Sequence, residues 1–218
     1  MEPTESPGVF RHGKELYSRN ATPGLRVYGE ELRTEQGVEY RHWDPWRSKL
    51  AALLLKSGGR FPLPVPHRVL YLGGAHGTTV SHLSDLWPDA QIFVVEKSPT
   101  SFAPLLALSR RRTNLLPLLA DAQLPERYVA DVGVVDFLYQ DVAQRGQARI
   151  FLENAAASLG ERGVGVLMLK VRSVTQARPA DQVLNESRAE LDQGGLAVVS
   201  TTDLAPFSRE HVAVRATR

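Results

Sequence analysis

The 218-residue chain contains no cysteine and only two methionines. Without thiols it cannot form disulfides, a thiol nucleophile, iron–sulfur clusters or the usual cysteine-bearing zinc sites. A metal would have to be held by histidine and carboxylates, and no such set is suitably spaced, so none is expected. Long apolar runs are also missing: no stretch approaches the roughly 20 residues of a membrane helix. The opening MEPTESPG is acidic and proline-bearing, unlike the basic and apolar regions of a secretory leader. A soluble, cytoplasmic protein with no membrane partner is expected. Strong charge bias is lacking too. A formal net charge of +2 is too small to coat a polyanion unaided, although a pI near 9.0 permits a local basic face. Partners would have to share the grip on any polyanionic substrate.

What is present is 43% hydrophobic content, enough for one substantial core and a small appended module. Residues 8–43 carry short β-leaning runs, Val9-Phe10, Leu25-Arg26-Val27-Tyr28 and Val38-Glu39-Tyr40, separated by Gly13, Thr22-Pro23-Gly24, Gly29 and Gly37. This pattern predicts a small antiparallel β module over residues 1–45. Asp44-Pro45 then reads as N-cap and first helical position of a helix through WRSKLAALLLKS, stopped by Gly58-Gly59. Helix and proline-rich linker occupy residues 46–66.

From residue 67 to 218 short apolar strands alternate with helix-length segments. Strands are expected at Arg68–Leu72, Gln91–Val95, Asn114–Leu118, Val134–Tyr139, Gly163–Val171, Leu196–Asp203 and His211–Ala216, with helices near 77–87, 99–111, 145–159 and 180–192. Near-continuous apolar runs such as VGVVDFLY suit strands covered on both faces. The alternation predicts an α/β fold with a doubly wound, mostly parallel sheet. The last two strands lack an intervening helix and should form an antiparallel pair at one edge.

Three markers follow the strand ends. VLYLGGAHGTTVSHL runs from a strand into a glycine-rich turn and a helix, and Gly73, Gly74 and Gly77 let backbone approach a ligand beside a helix N-terminus. His76 and His82 read as loop and helix-surface residues. Glu96 closes IFVVE about twenty residues on, where a carboxylate can bind both hydroxyls of a ribose. In LLPLLADA, Asp121 can accept from an adenine amine while Ala122 leaves room for the ring. The first two markers fit nicotinamide and S-adenosylmethionine enzymes alike; the third favours the latter. In this order they resemble class I methyltransferases.

Longer strings carry a narrower resemblance. YRHWDPWRSKLAA at 40–52, VLYLGGAHGTTVSHLSD at 69–85, VVEKSP at 94–99, YQDVAQ at 139–144, LKVRS at 169–173 and DLAPFSREHVAV at 203–214 resemble archaeal fibrillarin in order and spacing. The likeness covers roughly residues 25–218, and the first 24 residues match poorly. His76 stands where the family usually has a small residue, and Lys97 where an aromatic is common. The resemblance implies S-adenosylmethionine-dependent 2′-O-methylation of ribose in rRNA, with tRNA a further possible substrate. It implies a catalytic set of Lys49, Asp141, Lys170 and His211. It also implies work within a box C/D guide-RNA particle, on a Nop-domain scaffold beside a kink-turn-binding protein of the ribosomal family.

The residues themselves suit those roles. A ribose hydroxyl is a poor nucleophile, so a base must take its proton. Lys170 ends the apolar run GVGVLML, where partial desolvation would favour the neutral amine, and Asp141 ends a neighbouring strand as its orienting partner. Lys49 and His211 would orient the ribose and adjoining phosphate. Ala75 in the glycine turn, Lys97 after Glu96 and Asp141 beside the cationic methyl donor would also contact the cofactor, with Gln144 at its methionine end and Thr78 and Thr79 at its carboxylate or the helix start. Bland readings stand beside these: Lys49 as a solvated helix residue, His211 as an edge-strand residue, Asp141–Lys170 as a structural ion pair. Two rival functions remain, a small-molecule O-methyltransferase, which should show a helical lid or metal-binding carboxylates, and a catalytically silent particle scaffold, which should have lost a catalytic residue.

Overall fold

A computed structural model describes residues 1–58, 61–171 and 179–218. Gly59 of the expected helix stop and Arg172-Ser173 of LKVRS lie outside the described residues.

The N-terminal sheet has five antiparallel strands, β1 (Glu2–Pro3), β2 (Val9–His12), β3 (Glu15–Arg19), β4 (Leu32–Glu35) and β5 (Val38–His42), in the order β1-β2-β3-β5-β4. One expected strand is corrected: Leu25–Tyr28 is loop. The buried Glu30 carboxylate accepts from Val27 N (3.0 Å) and Tyr28 N (2.9 Å), taking the donors that a sheet ladder would use.

The helix start is corrected as well. α1 spans Lys49–Ser57, and its N-cap is Ser48, whose side chain accepts from Ala51 N at 3.3 Å. Asp44 instead accepts from Trp46 N at 2.8 Å, a local turn that competes with helix. Gly58, at φ 56°, closes α1.

The second sheet alternates with the remaining helices: β6 (Arg68–Leu72), α2 (Thr78–Leu86), β7 (Gln91–Glu96), α3 (Pro99–Ser109), β8 (Leu115–Leu119), α4 (Val129–Val132), β9 (Val135–Gln140), α5 (Gln147–Ser158), β10 (Leu159–Lys170), α6 (Ala180–Gln193), β11 (Ala197–Asp203) and β12 (His211–Thr217). Its seven strands lie in the order β11-β12-β10-β9-β6-β7-β8. β6 to β10 are mutually parallel, and β12 runs antiparallel to both β10 and β11. This is the doubly wound α/β fold expected, with the last two strands paired at one side.

Alternate residues of β6 feed two cores. Val69 and Tyr71 pack with Leu50, Leu53, Val80 and Leu83 of α1 and α2, while Leu70 and Leu72 pack with Ile150 and Phe151 of α5. Burial on both faces is why the strand sequence is continuously apolar. Val9, Leu16 and Trp43 of the N-terminal segment join the first core, so the small sheet is fixed to α1 and α2.

Polar groups reinforce that junction. Arg41 donates to Glu30 (2.6 Å), Asp85 (2.6 Å) and Ser81 (2.9 Å), and Arg112 pairs with the other Asp85 oxygen, all four charged groups being buried. His82 is not a surface residue. It is fully buried, 2.7 Å from both the Ser18 and Tyr28 hydroxyls and stacked on Trp43 at 4.7 Å. Four residues after Thr78 it faces the small sheet, not solvent, because a second layer covers α2. No helix among the described residues is long and apolar enough to cross a membrane.

Candidate active site

Strand order reverses between β9 and β6, since β7 and β8 lie to one side and β10 to the other. The crevice outside the carboxyl ends of strands at such a point is where open α/β sheets bind ligands. Gly73 follows β6 there and Asp141 follows β9, with Asp141 N donating to Leu72 O at 2.9 Å. Lys170 ends β10, and His211, which begins the antiparallel β12, is its register partner. A cavity of about 730 Å³ opens here, lined among others by Lys49, Gly73, Ala75, Asp141, Gln144, Lys170 and His211. That volume lies within the usual range for cofactor and small-molecule sites, roughly 300–1,000 Å³.

Gly73 adopts φ 88°, and a Cβ on it would fall on the Asp141 carbonyl. Only glycine brings the β6 turn this close to β9. Its neighbour Ala75 is also left-handed, at φ 45°, and donates its N–H to Glu96 Oε2 at 2.9 Å. Glu96 Oε1 accepts from Ser98 N at 2.8 Å, so the carboxylate braces the turn. Each carboxylate oxygen has a second lone pair for a ribose hydroxyl.

Asp121 Oδ1 accepts from Gln144 Nε2 (2.8 Å) and Gln123 N (3.0 Å), and Lys97 Nζ lies 3.5 Å from Oδ2. Burial opposes its ionisation, but these hydrogen bonds and the Lys97 charge outweigh burial and lower its pKa. Ala122 is buried, its carbonyl held by Asn154 Nδ2 at 2.8 Å. Thr78 opens α2 after the N-cap Gly77. Thr79 is set apart: it is buried, and its hydroxyl lies 3.0 Å from Ser48 Oγ, joining α2 to the cap of α1.

The catalytic candidates converge, but in different pairs from those expected. Lys49 Nζ donates to both oxygens of Asp141 at 2.8 Å. Lys170 Nζ pairs with Glu210 Oε2 at 2.8 Å. The expectation of a desolvated Lys170 oriented by Asp141 is therefore corrected. The Lys170 side chain is 41% exposed. Lys170 holds the Glu210 carboxyl below the usual glutamate range. Sequence reasoning missed Glu210, although its place one residue before His211 was a usable signal.

His211 is half-buried, with Nδ1 2.9 Å from Ser208 Oγ. Burial lowers its pKa to about 4, helped by the charges of Lys49 and Lys170 and only partly opposed by Asp141 and Glu210. The ring is neutral at pH 7. Beneath the site Tyr71 and Tyr139 stack at 4.6 Å, and burial and then, among other influences, the Asp141 charge keep both phenols protonated. Behind it Gln147 Oε1 accepts from Lys170 N at 2.9 Å, fixing the strand end to the start of α5.

The set can bind an adenosine-bearing cation through Glu96 and Asp121 and hold a hydroxyl among Lys49, Asp141, Lys170 and His211. The fibrillarin family model matches residues 2–218, so the poor match expected for the first 24 residues does not hold. A fibrillarin-like rRNA/tRNA 2′-O-methyltransferase of Methanothermobacter thermautotrophicus is 40% identical over 207 residues, covering 95% of this chain and 92% of the relative. The crystal structure of Aeropyrum pernix fibrillarin with natively bound S-adenosyl-L-methionine superposes with a TM-score of 0.86 at 38% identity, over 99% of this chain and all of that one. A fibrillarin/Nop5p complex matches with a TM-score of 0.88 at 39% identity, with the same coverage of each chain.

Proposed function

The chain belongs to the fibrillarin family, and from that membership together with the site we propose that it methylates RNA ribose 2′-hydroxyls, in rRNA and tRNA, with S-adenosylmethionine as donor. The observation that carries this reading is the meeting of Lys49, Asp141, Lys170 and His211 around one cavity beside the Gly73 turn.

The donor set fits the cofactor. Glu96 ends β7 and Asp121 lies just past the end of the adjacent strand β8, where they would take ribose and adenine, with Gln144 holding Asp121 in place. Lys97 tethers the rim of Asp121, and Gly73, Ala75 and Thr78 shape the turn and helix start. When bound, the cofactor supplies an electrophilic methyl group on a sulfonium. The ribose oxygen takes that methyl as the carbon–sulfur bond breaks and its electron pair stays on sulfur. The hydroxyl proton passes to Lys170 Nζ as general base. To act it must first leave Glu210 and give up its own proton. Lys49, held by Asp141, is a fixed positive charge for the adjoining phosphate. Neutral His211, its Nδ1 engaged by Ser208, presents Nε2 to the ribose.

The small net charge suits a division of labour in which others hold the RNA. A Nop-domain scaffold docks the chain, a kink-turn-binding protein organises the box C/D guide, and guide pairing selects the nucleotide. The test is methyl transfer to guide-paired RNA with and without the partner proteins: strong, site-selective methylation requires the partners. Equal activity of the isolated chain would refute the shared grip, and no transfer by the full particle would refute the reaction.

A further inference from the structure

The 2′-hydroxyls of an A-form helix lie in its wide, shallow minor groove, so an enzyme acting there must face the groove with its own rim. Two aromatic side chains lie on the loops that lead into the cavity residues Lys49 and His211: exposed Trp46 and half-buried Phe207. Trp46 precedes Lys49 by three residues, and Phe207 precedes His211 by four. Their rings meet edge to face, with centroids 5.0 Å apart. The contact therefore joins the loop before α1 to the loop before β12, and so the two loops that deliver Lys49 and His211.

Trp46 is 63% exposed, whereas Trp43 and Trp87 are 0% and 2% exposed. Trp46 does not stand alone: with Phe207 it makes a paired aromatic surface, the kind of apolar-bodied patch that suits a contact. Its loop is ordered by the Asp44 turn, and the Phe207 loop by bonds from Ser208 N to Leu204 O (3.0 Å) and from His211 N to Ser208 O (3.1 Å). Exposed arginines accompany both rings: Arg47, whose guanidinium lies 5.5 Å from the Tyr28 ring centre, and Arg209. Apolar rings accompanied by cations, on the two loops that carry Lys49 and His211 into the site, match the alternation of sugar and phosphate along one RNA strand.

We propose that Trp46 and Phe207 form a lip that packs against the ribose next to the methylated nucleotide, in the minor groove of the guide-paired RNA, with Arg47 and Arg209 on the flanking phosphates. This rests on the reading of the site as a ribose 2′-O-methyltransferase. The lip is a positioning device: it sets the depth to which the strand enters, and hence the distance of the target hydroxyl from the methyl group.

The test uses particles in which only this chain carries 5-fluorotryptophan, followed by fluorine NMR, with Trp46→Phe assigning the resonance. Adding substrate RNA to the guide-loaded particle should shift the Trp46 signal and leave Trp43 and Trp87 in place. Trp46→Ala should weaken substrate RNA about tenfold in single-turnover titrations, Trp46→Phe should restore most of it, and cofactor affinity should not change. A purely structural clamp between the loops would give no substrate-dependent shift. The lip is overturned if the Trp46 signal moves fully on adding the partner proteins and no further with substrate, or if Trp46→Ala binds substrate as wild type does. Failure of the wild-type particle to methylate would instead overturn the underlying reading, and the lip with it.

Discussion

Lys170 Nζ lies 2.8 Å from Glu210 Oε2, and Glu210 directly precedes His211, the residue that pairs with Lys170 across β10 and β12. The proposed base is thus parked on a carboxylate of the neighbouring strand, while Asp141 is occupied by Lys49. Lys170→Ala should slow single-turnover methylation by roughly 10² to 10⁴ while leaving cofactor affinity largely intact. Lys170→Arg is sharper, since a guanidinium keeps the charge and the Glu210 pair but cannot give up a proton. Near-normal rates with arginine would reduce Lys170 to an electrostatic role.

Glu210→Gln separates positioning from chemistry. The amide keeps a hydrogen bond to Lys170 and removes the ion pair that holds it. If parking on Glu210 must be undone before catalysis, single-turnover methylation should be faster in this variant, with cofactor affinity unchanged. An unchanged rate would show that the pair is not part of the proton path.

Gly73→Ala tests the close approach of β6 and β9. The new Cβ meets the Asp141 carbonyl, and alanine is strained at φ 88°. The turn must shift, carrying Ala75 N from Glu96 and misplacing Asp141. We expect cofactor affinity to fall at least tenfold with a smaller loss of thermal stability, read by calorimetry and thermal unfolding. Wild-type affinity would show that the turn tolerates displacement.

The sequence exposed the sheet well because β6 to β10 are buried on both faces, and continuous apolar runs leave few alternatives. It also exposed the strand-end carboxylates Glu96 and Asp121, which follow those runs directly. It did not expose how charges pair. Asp141 and Lys170 end neighbouring strands, yet each finds its partner in α1 or beside β12, elements far away in sequence. Nor did it expose the second layer: His82 looks like a surface residue until the small sheet covers α2. Leu25–Tyr28 looked like a strand because nothing local reveals that Glu30 captures its N–H groups.

The buried network predicts a large effect of Asp85→Ala. Asp85 accepts from Arg41, from Arg112 and from Ala21 N (2.9 Å), and its loss leaves two buried guanidiniums short of a partner. Breaking a buried pair this way typically costs about 3–5 kcal/mol. At roughly 2–4 °C per kcal/mol for a chain of this size, Tm should fall by about 6–20 °C. A shift below about 2 °C would show that water or another acceptor replaces the carboxylate. The small sheet should loosen first, visible as faster amide exchange in β3 and β5.

Acid should weaken the same junction through His82. Burial lowers its pKa well below 6.5, with the Arg41 and Arg112 charges and His42 acting in the same direction. The unfolded chain therefore takes up a proton near pH 6.5 that the folded chain refuses. Stability contributed by the neutral ring is complete above that pH and is lost as pH falls towards the folded value. Each pH unit in that window should remove up to about 1.4 kcal/mol for this one group. His211, with a folded pKa of about 4, acts with the same sign, though its half-exposed position screens the effect. Glu30 also resists protonation, but only below its ordinary value of 4.5, so unfolding measured between pH 5.5 and 7.5 excludes it. Over that range the stability of wild type should rise with pH, and His82→Gln, which cannot titrate, should show a shallower slope whatever its absolute stability. Equal slopes would mean that the buried ring accepts a proton in place, with Ser18 and Tyr28 turning to accept from it.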